Sequence, residues 1–164
     1  MALSLEDAAN VFRKADAYLT SHKNDNNKQA SPVARAALRG FQEYWMGAKG
    51  AGSLQFVPYS EAQADDADGT GLLDAASTIY FWYTIKENSA TDNTAKIFES
   101  ATVDTTSTEQ GPSISLLLAN QEAFLVYPDG YPQATGLTIT QHTTPEGSTD
   151  GSDGGDGFFI VGAA

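Results

Sequence analysis

Cysteine is absent from the chain, which excludes disulfides, thiolate metal sites and a cysteine nucleophile. That absence leaves the compartment open. Histidine is nearly absent too, with His22 and His142 the only two. Neither falls in a recognisable catalytic motif, and no G-x-S-x-G elbow occurs. His22, beside Lys23, fits a helix C-terminus, where positive charge complements the dipole; His142 reads as an exposed strand-end residue. Long hydrophobic runs are also missing. The longest, IYFWYTI from Ile79 to Ile85, is far too short to span a bilayer. The opening MALSLEDAANVFRK has no basic n-region and no apolar h-region, and Glu6 and Asp7 interrupt it early, so no cleaved export signal is expected.

Positive charge is scarce, with nine Lys/Arg against 21 Asp/Glu and a formal net charge of −12. Its distribution is uneven. Residues 1–49 hold seven Lys/Arg and five Asp/Glu, whereas residues 50–164 hold two and sixteen. An acidic body of this kind repels nucleic acid and anionic membrane, so neither is expected as a partner. The 164 residues, 41% hydrophobic and 10% aromatic, suffice for one domain with a real core.

Two helices are expected first, over residues 1–49. In SLEDAANVFRKADAYLTSH, Ser4 is the expected N-cap, and Leu5, Ala8, Phe12, Ala15 and Leu19 follow the spacing of one buried stripe. A polar loop, His22 to Ala30, leads to SPVARAALRGFQEYWMG, with Ser31 as cap, Pro32 at the first helical position and Gly47 as the stop. Val33, Ala37, Phe41 and Tyr44 line its expected buried side, widened by Leu38 and Trp45. GAKGAG, Gly47 to Gly52, has neither the Walker spacing nor a dinucleotide fingerprint, and reads as a hinge.

From residue 50 to 164 the texture becomes β. Short runs of Thr, Ser, Val, Ile and aromatics alternate with Gly, Pro, Asn and Asp, which predicts a mainly antiparallel β-sandwich or jelly-roll-like body. Seven strands are expected: LQFVPY, STIYFWYTIKE, AKIFESATVDT, SISLLLA, EAFLVY, LTITQ and FFIV. In IYFWYTI, alternation puts Ile79, Phe81, Tyr83 and Ile85 on one face and Tyr80, Trp82 and Thr84 on the other. Both faces are apolar, which predicts a central strand covered on each side by helices, by the second sheet or by another subunit. YPDGYP, Tyr127 to Pro132, reads as a turn. Thr143 to Gly157 reads as a long mobile loop before a terminal strand FFIV, which pairs either with its own sheet or with a neighbour's.

The sharpest metal candidate is DADGTGLLDAAS, Asp66 to Ser77. Its first half matches a calcium loop, with oxygen donors at Asp66, Asp68 and Thr70, glycine at Gly71 and a further acid at Asp74. The bidentate acid that closes such a loop is replaced by Ser77, so the expectation is a solvated acidic loop, with a looser Ca²⁺ site as the alternative. In the C-terminal stretch, Asp150, Asp153 and Asp156 are spaced by three, which does not fit a calcium loop. Paired carboxylates for glycoside cleavage have no motif behind them, because the acids sit in hydrated loops.

The strands STIYFWYTIKENSATDNTAKIFESATVDTT and the C-terminal DGFFIVGAA, free of cysteine and rich in Thr and Ser, resemble accessory structural proteins of tailed-phage virions, of the capsid decoration, cement or head-fibre type. The resemblance implies a non-enzymatic protein with no required cofactor. It would sit on the capsid surface after synthesis in the host cytoplasm, self-associate as a trimer and bind the major capsid protein. Phe12, Leu19, Phe41, Trp45, Tyr80, Trp82, Phe158 and Phe159 are the candidate interface residues. The alternative is a carbohydrate- or receptor-binding β-sandwich, with Tyr127 and Tyr131 stacking a sugar and calcium assisting.

Overall fold

The computed structural model describes residues 3–60, 70–87, 93–99, 112–116, 118–142 and 155–164. Helix α1 spans Ala8–Ser21 and α2 spans Pro32–Lys49. The cap of α1 is Asp7, whose side chain accepts from the Ala9 N–H at 2.7 Å. Ser4 is engaged elsewhere, donating its N–H to Gln55 Oε1 at 3.0 Å. Glu6–Asp7 form a two-residue strand, β1, against Leu54 and Ser53, so a sheet edge captures the segment and delays the helix start.

The buried stripe of α1 is Ala8, Val11, Phe12, Ala15 and Leu19, while Leu5 is exposed. In α2 the cap is Ser31 as expected, accepting from the Ala34 N–H, and Pro32 opens the helix. The helix passes Gly47 and stops at Gly50, where φ is +65°. Its buried stripe is Ala34, Leu38, Phe41 and Trp45, so the expected face is rotated and Val33 and Tyr44 lie outside.

Eight further strands follow: β2 (Ser53–Tyr59), β3 (Thr70–Leu73), β4 (Ser77–Lys86), β5 (Asn93–Phe98), β6 (Ser113–Leu116), β7 (Glu122–Gln133), β8 (Leu137–His142) and β9 (Gly155–Ala163). One sheet has the order β1-β2-β9-β4-β7 and the other β3-β8-β5-β6. All pairings are antiparallel. The pairs β2·β9, β3·β8, β4·β7 and β5·β6 are nested one inside the next, as in a long hairpin. The rolled hairpin is then closed by β4·β9 and β5·β8. This is the strand order of a jelly-roll β-sandwich.

Three layers result. The helices pack on one face of the five-stranded sheet through Phe12, Leu19, Phe41, Trp45, Phe81, Tyr83 and Phe158. The four-stranded sheet packs on the other face through Val57, Trp82, Ile97, Ile139, Phe159 and neighbours. The FFIV segment thus pairs within its own chain, between β2 and β4.

Strand β4 is central and covered on both sides, but strict alternation fails within it. Its register shifts between Ile79 and Phe81 against both neighbours. An extra residue at Tyr80 sends Ile79 to the sandwich core with Trp82, while Tyr80, Phe81, Tyr83 and Ile85 pack with the helices. The Tyr80 ring stacks near Phe41, meets Trp45 edge-on at 4.8 Å, and lies over Gly130 and Gly162, where a Cβ would strike it. Opposite the bulge, YPDG does not separate two strands. Strand β7 continues through it, with Ile79 opposite Tyr131 and Phe81 opposite Val126, and Gly130 at φ +88° absorbs the excursion.

Candidate functional site

Two features stand out, a helical layer that carries the exposed Lys and Arg among five Asp/Glu, and a polar cluster where the helical pair meets the ends of β4 and β9. Arg13, Lys14, Lys23, Lys28, Arg35, Arg39 and Lys49 are all exposed and all belong to the helical pair or its loop. The other two cations, Lys86 and Lys96, are buried in the β body. Lys86 Nζ donates to the Leu116 carbonyl at 3.2 Å. Every exposed cation is therefore on one layer of an otherwise acidic protein. Lys14 pairs with Glu6 at 2.7 Å. Arg13 and Arg39, with Asp16 and Gln42, line a shallow groove of about 330 Å³ between the helices, and Arg35 and Arg39 border its continuation.

The polar cluster is built from three segments. Asn24, in the loop after α1, fixes the geometry: its Nδ2 donates to the Lys86 carbonyl at 3.0 Å and to Asn120 Oδ1 at 2.7 Å. Its Oδ1 accepts from the N–H groups of Asn26 and Lys28. At the other end of the loop, Glu122 accepts from the Ser31 N–H and the Tyr83 hydroxyl. The loop is thereby tied to β4 and β7, which places His22, the C-cap of α1, over Glu87 and Asp156.

His22 Nε2 is 2.9 Å from Asp156 Oδ2. One donor atom from each of His22, Glu87 and Asp156 lies within 4.8 Å of the other two. Glu87 Oε2 accepts from the Asp25 N–H at 2.5 Å, while buried Oε1 has no hydrogen-bond partner. Burial pushes Glu87 up to about 7; the Asp25 N–H works against this, and the Asp156 carboxylate works with it. Tyr18 stacks on His22 with ring centroids 4.5 Å apart, and its buried hydroxyl lacks a partner. Burial, then the nearby Asp156, raise that phenol well above its ordinary value.

The expected site residues lie elsewhere. Asp66 and Asp68 are outside the described residues; Thr70 begins β3, and Asp74 is exposed at the bend before β4. Phe12, Leu19, Phe41, Trp45, Trp82, Phe158 and Phe159 are buried within the chain, at 5% exposure or less, and Tyr80 is half-buried against the helices. His142, expected at the surface, is buried at the end of β8. Tyr127 and Tyr131 pack on each other at 5.4 Å and against the sandwich core. The Glu87–Asp156 contact had no signal in the sequence beyond the acids themselves, because the fold alone joins the segments. No helix among the described residues is long and apolar enough to cross a membrane. Compared with known proteins, the chain matches no family model, no curated protein and no solved structure.

Proposed function

We propose that this chain is a non-enzymatic structural protein of a virion, of the capsid-decoration type, which docks on the shell through its helical layer. The observation that carries the reading is the segregation of every exposed Lys and Arg onto that layer of an acidic jelly roll. A layer of this kind complements an acidic surface, and the strong acidity of residues 50–164 favours a hydrated particle exterior. The jelly roll is consistent with the reading, since viral capsid domains use it, but so do lectins and cupins, so topology alone is fold-level analogy. The shell protein and sister copies of this chain, as a trimer, are the proposed partners.

The test is mass spectrometry of purified particles from the source genome, together with rebinding to particles stripped of the chain. The expected results are a fixed copy number per particle, a lower rupture temperature without the chain, and weaker rebinding by the Arg13→Glu, Arg35→Glu, Arg39→Glu triple variant, most marked at low salt. Absence of the chain from particles, together with a monomeric mass in solution, overturns the reading.

A further inference from the structure

We propose that His22, Glu87 and Asp156 form a binding site for a divalent transition cation of the zinc class, which clamps the helical layer onto the two central strands of the five-stranded sheet. The donors come from the C-cap of α1, the residue after β4 and the second residue of β9, three segments far apart in the chain. One imidazole nitrogen with two carboxylates is a set that suits zinc and its neighbours, whereas calcium prefers oxygen throughout.

Two observations point to a ligand. Glu87 is only 2% exposed, yet its buried Oε1 has no hydrogen-bond partner and belongs to the donor cluster. Without a cation, a proton shared between the Glu87 and Asp156 carboxyls must offset the burial of that oxygen, and a bound cation would take that proton's place. His22 Nε2 is close to Asp156 Oδ2 but out of line for a hydrogen bond. Two donors about 2.1 Å from one ion lie about 3.4 Å apart at the tetrahedral angle, so the His22–Asp156 pair, at 2.9 Å, would open by about 0.5 Å to take the ion.

A cation here would act as a cross-link. It would hold the end of α1 against β4 and β9, where Tyr18 packs edge-on to Phe158 at 5.0 Å. The proposal is independent of the virion reading and stands or falls separately from it.

The experiment uses the full chain, stripped with EDTA and exchanged into chelator-free buffer, with Zn²⁺, Co²⁺, Ca²⁺ and Mg²⁺ added singly. Calorimetry should give one equivalent of Zn²⁺, and a hundredfold excess over Kd should raise Tm by about 5–10 °C. Co²⁺ should give a visible absorption band from the same site. His22→Gln, at a partly exposed position, and Asp156→Asn should each weaken Zn²⁺ binding at least about tenfold and abolish the cobalt band. If Asp156→Asn does not fold, His22→Gln decides. No Tm shift with Zn²⁺, an undiminished shift in His22→Gln, or a response to Ca²⁺ with none to Zn²⁺ overturns the proposal.

Discussion

Replacing Phe158 by alanine tests the three-layer arrangement most directly. Phe158 is fully buried in β9, on the face that meets the helices. Its ring lies 5.0 Å from Tyr18, 5.1 Å from Phe56 and 5.8 Å from both Phe81 and Tyr83, centroid to centroid. Phe→Ala in a core costs about 3–5 kcal/mol through lost transfer energy and the cavity left behind. Here the neighbours are rings held by two central strands and a helix, so collapse into the void is restricted, and about 4 kcal/mol is expected. That is a large part of the roughly 5–15 kcal/mol of an ordinary domain and corresponds to a fall in Tm of about 8–16 °C.

Phe159→Ala should cost a similar amount for a different reason. Its ring packs on Trp82 at 5.2 Å and Tyr59 at 5.5 Å, in the core between the sheets. Two adjacent residues that are both this expensive mark a strand buried on both faces. The assay is urea denaturation followed by the fluorescence of Trp45 and Trp82, reading the midpoint shift at unchanged slope. Val33→Ala, on the outer side of α2 at 66% exposure, serves as the control and should stay within about 0.5 kcal/mol. A loss under about 1 kcal/mol for either phenylalanine would refute the burial argument. Midpoints that rise with protein concentration would instead show that β9 is exchanged between chains.

Gly157→Ala should be more damaging than its size suggests, because the added Cβ would strike the Tyr83 carbonyl and the Tyr59 ring; loss of soluble protein or at least about 3 kcal/mol is expected, and near-native stability would contradict the close β9–β4 approach. Ser31→Ala removes the α2 cap and should cost about 1 kcal/mol in the same denaturation assay, with no change arguing that the Ala34 N–H is satisfied otherwise. Glu87 predicts a pH effect in chelator-treated protein. The folded state keeps its proton up to about pH 7, against 4.5 for the ordinary group, so its contribution to stability is lost as pH rises through that window. Glu87→Gln should therefore gain on the wild type between pH 5 and pH 8, and a pH-independent difference would count against the assignment.

Much of the fold could be read from local pattern. Ser31-Pro32 marked the start of α2, and the apolar runs of β2, β4, β8 and β9 marked strands, because caps and β-rich segments act over a few residues. The errors arose where distant partners decide the outcome. Ser4 lost the cap to Asp7 because β2 pairs with Glu6–Asp7. Strand β3 lay hidden in TGLL, inside an acidic run, because its pairing with β8 is not a local property. Alternation through IYFWYTI broke at Tyr80, where two glycines on neighbouring strands make room for a bulged ring. In α2 the large Val33 and Tyr44 outweighed Ala34 in the pattern, yet the small residue is the one that is buried. The His22–Glu87–Asp156 cluster was the least legible part, because no spacing rule relates its members and only the closed topology brings them together.

The nested pairing also imposes an order of events during synthesis. β9, the last in sequence of the strands among the described residues, occupies the gap between β2 and β4, both of which emerge well before it. Until then the helices have no complete sheet to cover, and Phe56, Phe81 and Tyr83 lack the Phe158 ring that joins them. Pairing of such distant segments is intrinsically slow and leaves strand edges open in the meantime. A chain held on the ribosome with β9 still inside the exit tunnel should therefore be collapsed and chaperone-dependent, and emergence of β9 should convert it to the native form in one late step.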